Sequence, residues 1–236
     1  MNHRMLLWSS AIAAVAALVT GQTVLHQGSG AGGDTALADL PTVTAGSDVL
    51  ADVTVVPQRI RGGDYRRSAF GAAWDDDNSA PGGRNGCDTR DEILDRDLSD
   101  KSYISITRCP HAVATGKLHD PYTNEFISFA RGAGVGASVQ IDHIVPLAYA
   151  WDMGARNWTE DLRKRFANDP ANLLAVAGTA NQDKGDLPPA QWMPPNSAFW
   201  CSYAMAFIAV VRGYQLPIDE PSASRLRDAA TSCPTG

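Results

Sequence analysis

A chain of 236 residues is long enough for one to two domains of about 150 residues each, and for a core that apolar burial can stabilise. Its 44% hydrophobic and 19% charged residues are ordinary globular usage, which excludes disordered, collagen-like and coiled-coil chains. With 20 Lys and Arg against 26 Asp and Glu the formal charge is −6, so the bulk basic character of a protein that coats nucleic acid is absent, and any phosphate chemistry has to rest on a local site.

The chain starts with a short basic segment, Met1 to Met5, followed by an apolar run from Leu6 to Val19. That run fits the core of a signal peptide, about 7–15 residues, and falls short of the roughly 20 needed to span a bilayer. Val19-Thr20-Gly21 places small residues for cleavage after Gly21, so 1–21 is expected to be an export signal. The uncharged stretch from Met5 to Leu25 can also serve as an uncleaved anchor, the one case in which a membrane becomes a partner. No Cys precedes Cys87, which argues against a lipoprotein anchor.

Residues 22–56 are expected to form a tether and extended arm. Gln27 to Thr35 is Gly, Ser and Ala without apolar period, and Val53-Thr54-Val55-Val56 suggests an early strand. The body is expected over 57–236. It opens on Gln58 to Arg67, where Arg59, Arg61, Arg66 and Arg67 face the lone acid Asp64; this is either a solvated turn or a phosphate-contacting edge. Asp75 to Asn85, rich in Asp, Gly, Pro and Asn, is a loop without the calcium-loop spacing. Thr89 caps a short helix to Leu98, with Ile93, Leu94 and Leu98 on its apolar stripe. Tyr103–Thr107 and Phe126–Phe129 read as strands, and His111 and His119 as surface loop residues. Helices are predicted over Ala148–Ala155, Thr159–Asn168, Ser197–Arg212 and Ser222–Thr231, the third of them apolar enough to be core. Trp192 to Asn196 reads as a rigid packed turn.

In an exported chain Cys87, Cys109, Cys201 and Cys233, even in number and without a C-x-x-C pair, suit disulfides better than a zinc site. Three pairings are open; pairing neighbours in sequence joins Cys87 to Cys109 and Cys201 to Cys233.

The stretch with chemistry in it is Val139-Gln-Ile-Asp-His-Ile-Val-Pro-Leu147. A strand of β-branched residues ends in Asp142-His143, and Pro146 turns the chain just beyond. Asn172-Leu173-Leu174 follows, then Asn181 with Lys184-Gly185. If a helix opens near Ala180, Asn181 and Lys184 share one face, a turn apart. This ordered set resembles the HNH nucleases, whose ββα-metal core carries a strand-end Asp-His, a middle Asn before Leu and a final His or Asn followed by Lys-Gly. More narrowly it resembles the GmrSD-type C-terminal nuclease family, with its His-x-x-Pro, and its exported bacterial members with a segment like Asn85-Gly-Cys-Asp-Thr-Arg90. The resemblance runs from about Tyr65 to the C-terminus. It departs from the zinc-stabilised members, where Ala177-x-x-Ala180 stands in place of C-x-x-C.

The resemblance implies an α+β fold with a ββα-metal core, additional helices and disulfides. It also implies metal-dependent hydrolysis of DNA, with RNA left open as a substrate. Phosphodiester cleavage needs an activated water and a cation at the phosphate. His143 is the expected water-activating base; Asp142 and Asn181 are the expected ligands of one divalent cation, Mg²⁺ or Mn²⁺, with no structural zinc. Asn172 would orient the imidazole or its loop, unless it is a turn residue. Lys184 would contact a phosphate or pair with an acid, and Arg90 would clamp a phosphate unless it is a salt-bridge partner. Nucleic acid is the expected partner, with no stable protein partner implied. The rival is a secreted or cell-wall-associated binding domain that kept the fold without turnover, a reading favoured by the acidic charge balance. An exported nuclease toxin is a second rival, and the N-terminal tether has no room for the delivery domain it would need.

Overall fold

A computed structural model describes residues 40–132 and 137–236. The expected export signal over 1–21 and the Gly/Ser-rich start of the tether lie outside these residues. The described part of the expected arm is built into the body. Leu50 and Val53 are buried in the main core, and strand β1 (Val55–Val56) lies parallel to Ile218–Asp219, so the β-branched run finds a partner at the far end of the chain.

The arginine-rich segment then crosses the surface, and Arg59 is drawn in by carboxylates at 2.8 Å (Asp152) and 2.9 Å (Asp186). A single 3-10 turn, Arg67–Phe70, buries Phe70. The acids of the following loop close turns: the Asp76 carboxylate accepts from the amides of Asn85 and Gly86. Helix α1 (Thr89–Asp97) is capped by Asp88, whose side chain accepts from the Asp91 amide. The expected cap, Thr89, is instead the first helical residue and donates its hydroxyl to Asn168 at 2.9 Å.

Strands β2 (Ser99–Ile106), β3 (Cys109–His119) and β4 (Phe126–Ala130) form an antiparallel meander in that order. The sequence signals two of these strands and misses β3, the longest. Pro110 and Gly116 weaken its propensity, and irregular pairing with β2 breaks the period-two pattern by which a half-buried strand is recognised. His111 and His119 are exposed as expected, yet they stand on this strand rather than in a loop.

Next come β5 (Val139–His143), α2 (Leu147–Asp152), α3 (Glu160–Asn168), β6 (Leu173–Ala177), α4 (Gly178–Lys184), α5 (Trp200–Gly213), β7 (Ile218–Asp219) and α6 (Glu220–Ala230). Helices α2, α3, α5 and α6 surround the main core, and α1 and the meander close a second one against β5 and β6. The apolar Ser197–Arg212 segment supplies α5, whose Tyr203, Phe207, Ile208 and Val211 are core residues. Among the described residues no helix is long and apolar enough to cross a membrane. The architecture is mixed α/β with two disulfides.

The disulfides join Cys87 to Cys109 and Cys201 to Cys233, the pairing of sequence neighbours. The first ties the entry to α1 to the start of β3; the second ties the first turn of α5 to the C-terminal segment. In the chain-entropy view loops of this size each contribute about 3 kcal/mol by restricting the unfolded chain. Reduction is therefore expected to lower the melting temperature, and the unreduced protein to show no alkylatable thiol by mass spectrometry. Four alkylatable thiols in the native protein would contradict both the pairing and the export argument.

Candidate active site

Strands β5 and β6 pair antiparallel, with Asp142 opposite Leu174 and His143 opposite Leu173. Side chains alternate along a strand, so Val139 and Ile141 enter the second core while Gln140 and Asp142 point to the other face. Helix α4 covers that face, because β6 runs directly into it through Gly178. A Cβ there would lie 2.3 Å from the Ala137 carbonyl oxygen, so the tight strand-to-helix turn requires glycine. Gly185, at φ +50°, ends the helix one residue after Lys184.

The three-residue spacing of Asn181 and Lys184 aims both side chains at β5. Asn181 donates its amide to Gln140 Oε1 at 2.8 Å. Lys184, wholly buried, donates its ammonium to Asp142 Oδ2 at 2.5 Å and to the backbone carbonyls of His143 and Ile144. Of the two roles the sequence leaves open for Lys184, the structure shows the ion pair. Burial pushes the Lys184 pKa down and the Asp142 carboxylate opposes it.

Asp142 has a second partner that sequence reasoning missed. Tyr122, fully buried, donates its hydroxyl to the same Oδ2 at 2.5 Å. Its turn is held by Asp120, which accepts from the Thr123 amide and hydroxyl on one oxygen and from the Ala177 amide, at the end of β6, on the other. Trp192, in the Pro-rich turn, packs edge-on against Tyr122 at 5.1 Å and lies under the Lys184 ammonium at 5.9 Å. That turn is a packed wall beneath the site. Among the described residues no hydrogen bond reaches Asp142 Oδ1 or Asn181 Oδ1.

His143, 7% exposed, has its Nε2 2.9 Å from the Ala167 carbonyl oxygen at the end of α3. A carbonyl only accepts, so the neutral ring carries its proton on Nε2 and keeps the lone pair on Nδ1. Trp74 stacks on the imidazole at 5.6 Å with planes 10° apart, which fixes the ring's rotation. Burial pushes the His143 pKa down to about 3; the Ala167 carbonyl opposes this, and the Arg67 and Lys184 cations add to it. The ring is therefore neutral at rest. Asn172, fully buried, accepts from the Val145 amide at 2.8 Å and donates to the Val145 carbonyl, so it clamps the loop that leaves His143 rather than the imidazole itself.

Asp142, His143 and Asn181 line one cleft of about 700 Å³, together with Gln140 and, from α1, Arg90. Arg90 donates to the Val139 carbonyl at 3.0 Å. Tyr65, Arg67 and Trp74 complete its lining. Neither Tyr65 nor Trp74 carries a sequence signal for this place; Arg67 was visible only as one member of a basic run. Among the described residues no group of three or more His, Cys, Asp or Glu side chains is placed to hold a metal ion. The candidate ligands are the two unengaged oxygens of Asp142 and Asn181.

The domain described as "GmrSD restriction endonucleases, C-terminal domain" matches residues 88–222, from the cap of α1 into α6. A protein of Arthroderma benhamiae, described as an uncharacterized secreted protein, is 32% identical over 197 residues, 83% of this chain and 88% of that one. No solved structure matches the chain. A secreted relative in that organism does not single out the bacterial branch suggested by Asn85–Arg90. The residues that build the cleft floor all fall inside the matched span, and the chain belongs to the family of GmrSD restriction endonuclease C-terminal domains, a nuclease family.

Proposed function

We propose that this protein is an exported, metal-dependent endonuclease with an HNH, or ββα-metal, core that hydrolyses phosphodiester bonds of nucleic acid, DNA in the first place, with RNA as the open alternative. The observation that carries this reading is the succession β5, β6, α4, which brings Asp142, His143 and Asn181 to one cleft while the Ala167 carbonyl leaves His143 Nδ1 as the proton acceptor. His143 takes the proton from the attacking water at Nδ1. A phosphate anion seated beside the ring raises its affinity for that proton above the resting value. Asn172 holds the His143 loop, and Lys184 and Tyr122 hold the Asp142 carboxylate by Oδ2, which leaves Oδ1 without a hydrogen bond among the described residues.

Asp142 Oδ1 and Asn181 Oδ1 are hard oxygen donors and would hold one divalent cation, Mg²⁺ or Mn²⁺, with water in its remaining positions. Bound there, the cation would supply neutralisation of charge on the phosphate and the leaving oxygen. Ala177 and Ala180 occupy the place of a zinc-binding C-x-x-C, so no structural zinc is part of the reading. Arg90, in the cleft wall, is a candidate phosphate contact. The disulfides, the apolar N-terminal run and the description of the Arthroderma benhamiae relative as secreted support an extracytoplasmic location, and Asn85–Arg90 supports a bacterial-type member.

Digestion of plasmid DNA by the oxidised protein tests the reading. Cleavage is expected with Mg²⁺ or Mn²⁺, to be lost in excess EDTA, and to return when the cation is restored. Undiminished cleavage in chelator, or stoichiometric zinc in the purified protein, would refute the metal assignment. DNA binding without cleavage under every cation would establish the binding-domain alternative.

A further inference from the structure

One part of the cleft's wall is built by chain that precedes the family match: Tyr65, Arg67 and Trp74 all lie ahead of residue 88. Arg67 is the exposed cation of that wall. Its backbone is fixed, because it opens the 3-10 turn whose Phe70 is buried against Trp151 and Phe166, with ring centroids 6.2 Å away in each case. Asp186, a carboxylate that also lines the cleft, is taken by Arg59 and Arg61 at 2.9 and 3.0 Å, and among the described residues Arg67 has no carboxylate within ion-pair distance. Tyr65 lines the cleft beside it. A protein of net charge −6 thus keeps, on a rigid turn in the cleft that His143 lines, a guanidinium that no carboxylate among the described residues pairs with.

We propose that Arg67 binds the phosphodiester anion beside His143, so that the segment ahead of the family-matched region supplies the substrate contact on this wall. A guanidinium offers two parallel donors to two non-bridging phosphate oxygens, and the stiffness of the Arg67–Phe70 turn limits the ordering that binding requires. The inference rests on the nuclease reading above and is tested separately from it.

Binding of a fluorescein-labelled DNA oligonucleotide is measured by anisotropy across a salt series, in the full chain carrying His143→Ala so that cleavage does not interfere. Arg67→Ala is expected to weaken binding about 10- to 100-fold, the loss typical of one charge-assisted contact. The slope of log K against log salt should fall by about 0.7–0.9. Arg67→Lys should restore the slope and only part of the affinity, because an ammonium keeps the charge without the paired donors. Arg61→Ala, which removes an exposed and already paired charge, should leave the affinity within about twofold. Parent-like affinity and slope in Arg67→Ala would overturn this inference and leave the nuclease reading standing. Absence of DNA binding in the His143→Ala chain, together with absence of plasmid cleavage by the unsubstituted protein, would overturn both.

Discussion

Replacing His143 with alanine is expected to slow phosphodiester cleavage by about 10²–10⁴-fold, the range for loss of a positioned general base. His143 is buried and stacked on Trp74, so alanine also leaves a void and lowers stability. His143→Gln separates the two effects. Its side-chain amide is long enough to keep a donor toward the Ala167 carbonyl and fills more of the space, but it has no basic nitrogen. Cleavage should fall as far as in the alanine variant, while the melting temperature should stay closer to the parent. Parent-like turnover in His143→Gln, assayed well below its melting temperature, would remove His143 from the mechanism.

Lys184→Met is expected to produce the largest loss of stability. Breaking a buried ion pair by removing one partner costs about 3–5 kcal/mol, because the remaining charge stays buried without its counter-ion. For a folded body of this size that corresponds to a fall in melting temperature of roughly 6–20 °C. The cause can be isolated with Asp142→Asn in the same chain. The double variant has no stranded charge, the asparagine oxygen still accepts from Tyr122, and much of the lost stability should return. Thermal unfolding of the four proteins of the cycle gives the coupling directly. If Lys184 instead reached into the cleft to hold a phosphate, Lys184→Met would leave the melting temperature unchanged and raise KM.

Much of this fold is legible along the chain because its signals are local. Thr159 and the apolar positions after it mark α3, and the Asp-His followed by Pro146 marks the end of β5. The spacing of Asn181 and Lys184 already places both on one helical face, and the sequence-local disulfides join chain ends that close short loops. The residues proposed as base, metal ligands and loop clamp all stand in the motif, because side chains gathered at one strand–strand–helix junction recur at readable intervals.

What the tertiary structure alone decided are the partners of those residues, which come from remote parts of the chain. Tyr122 meets Asp142 from the turn before β4, and the Ala167 carbonyl, a backbone atom with no sequence identity, selects the His143 tautomer. Trp74 and Arg67 reach the cleft from a loop and a single turn whose composition shows no periodicity. Strand β3 was invisible because its propensity is poor and its pairing irregular; it exists because β2 and β4 satisfy its backbone on both sides. Local sequence sets which side chains stand at the strand-to-helix junction and what chemistry they are capable of. Whether Lys184 faces substrate or Asp142 was decided by packing: the ammonium is enclosed by α4, β5 and Trp192, and only a carboxylate and carbonyl oxygens there offset the loss of water around it.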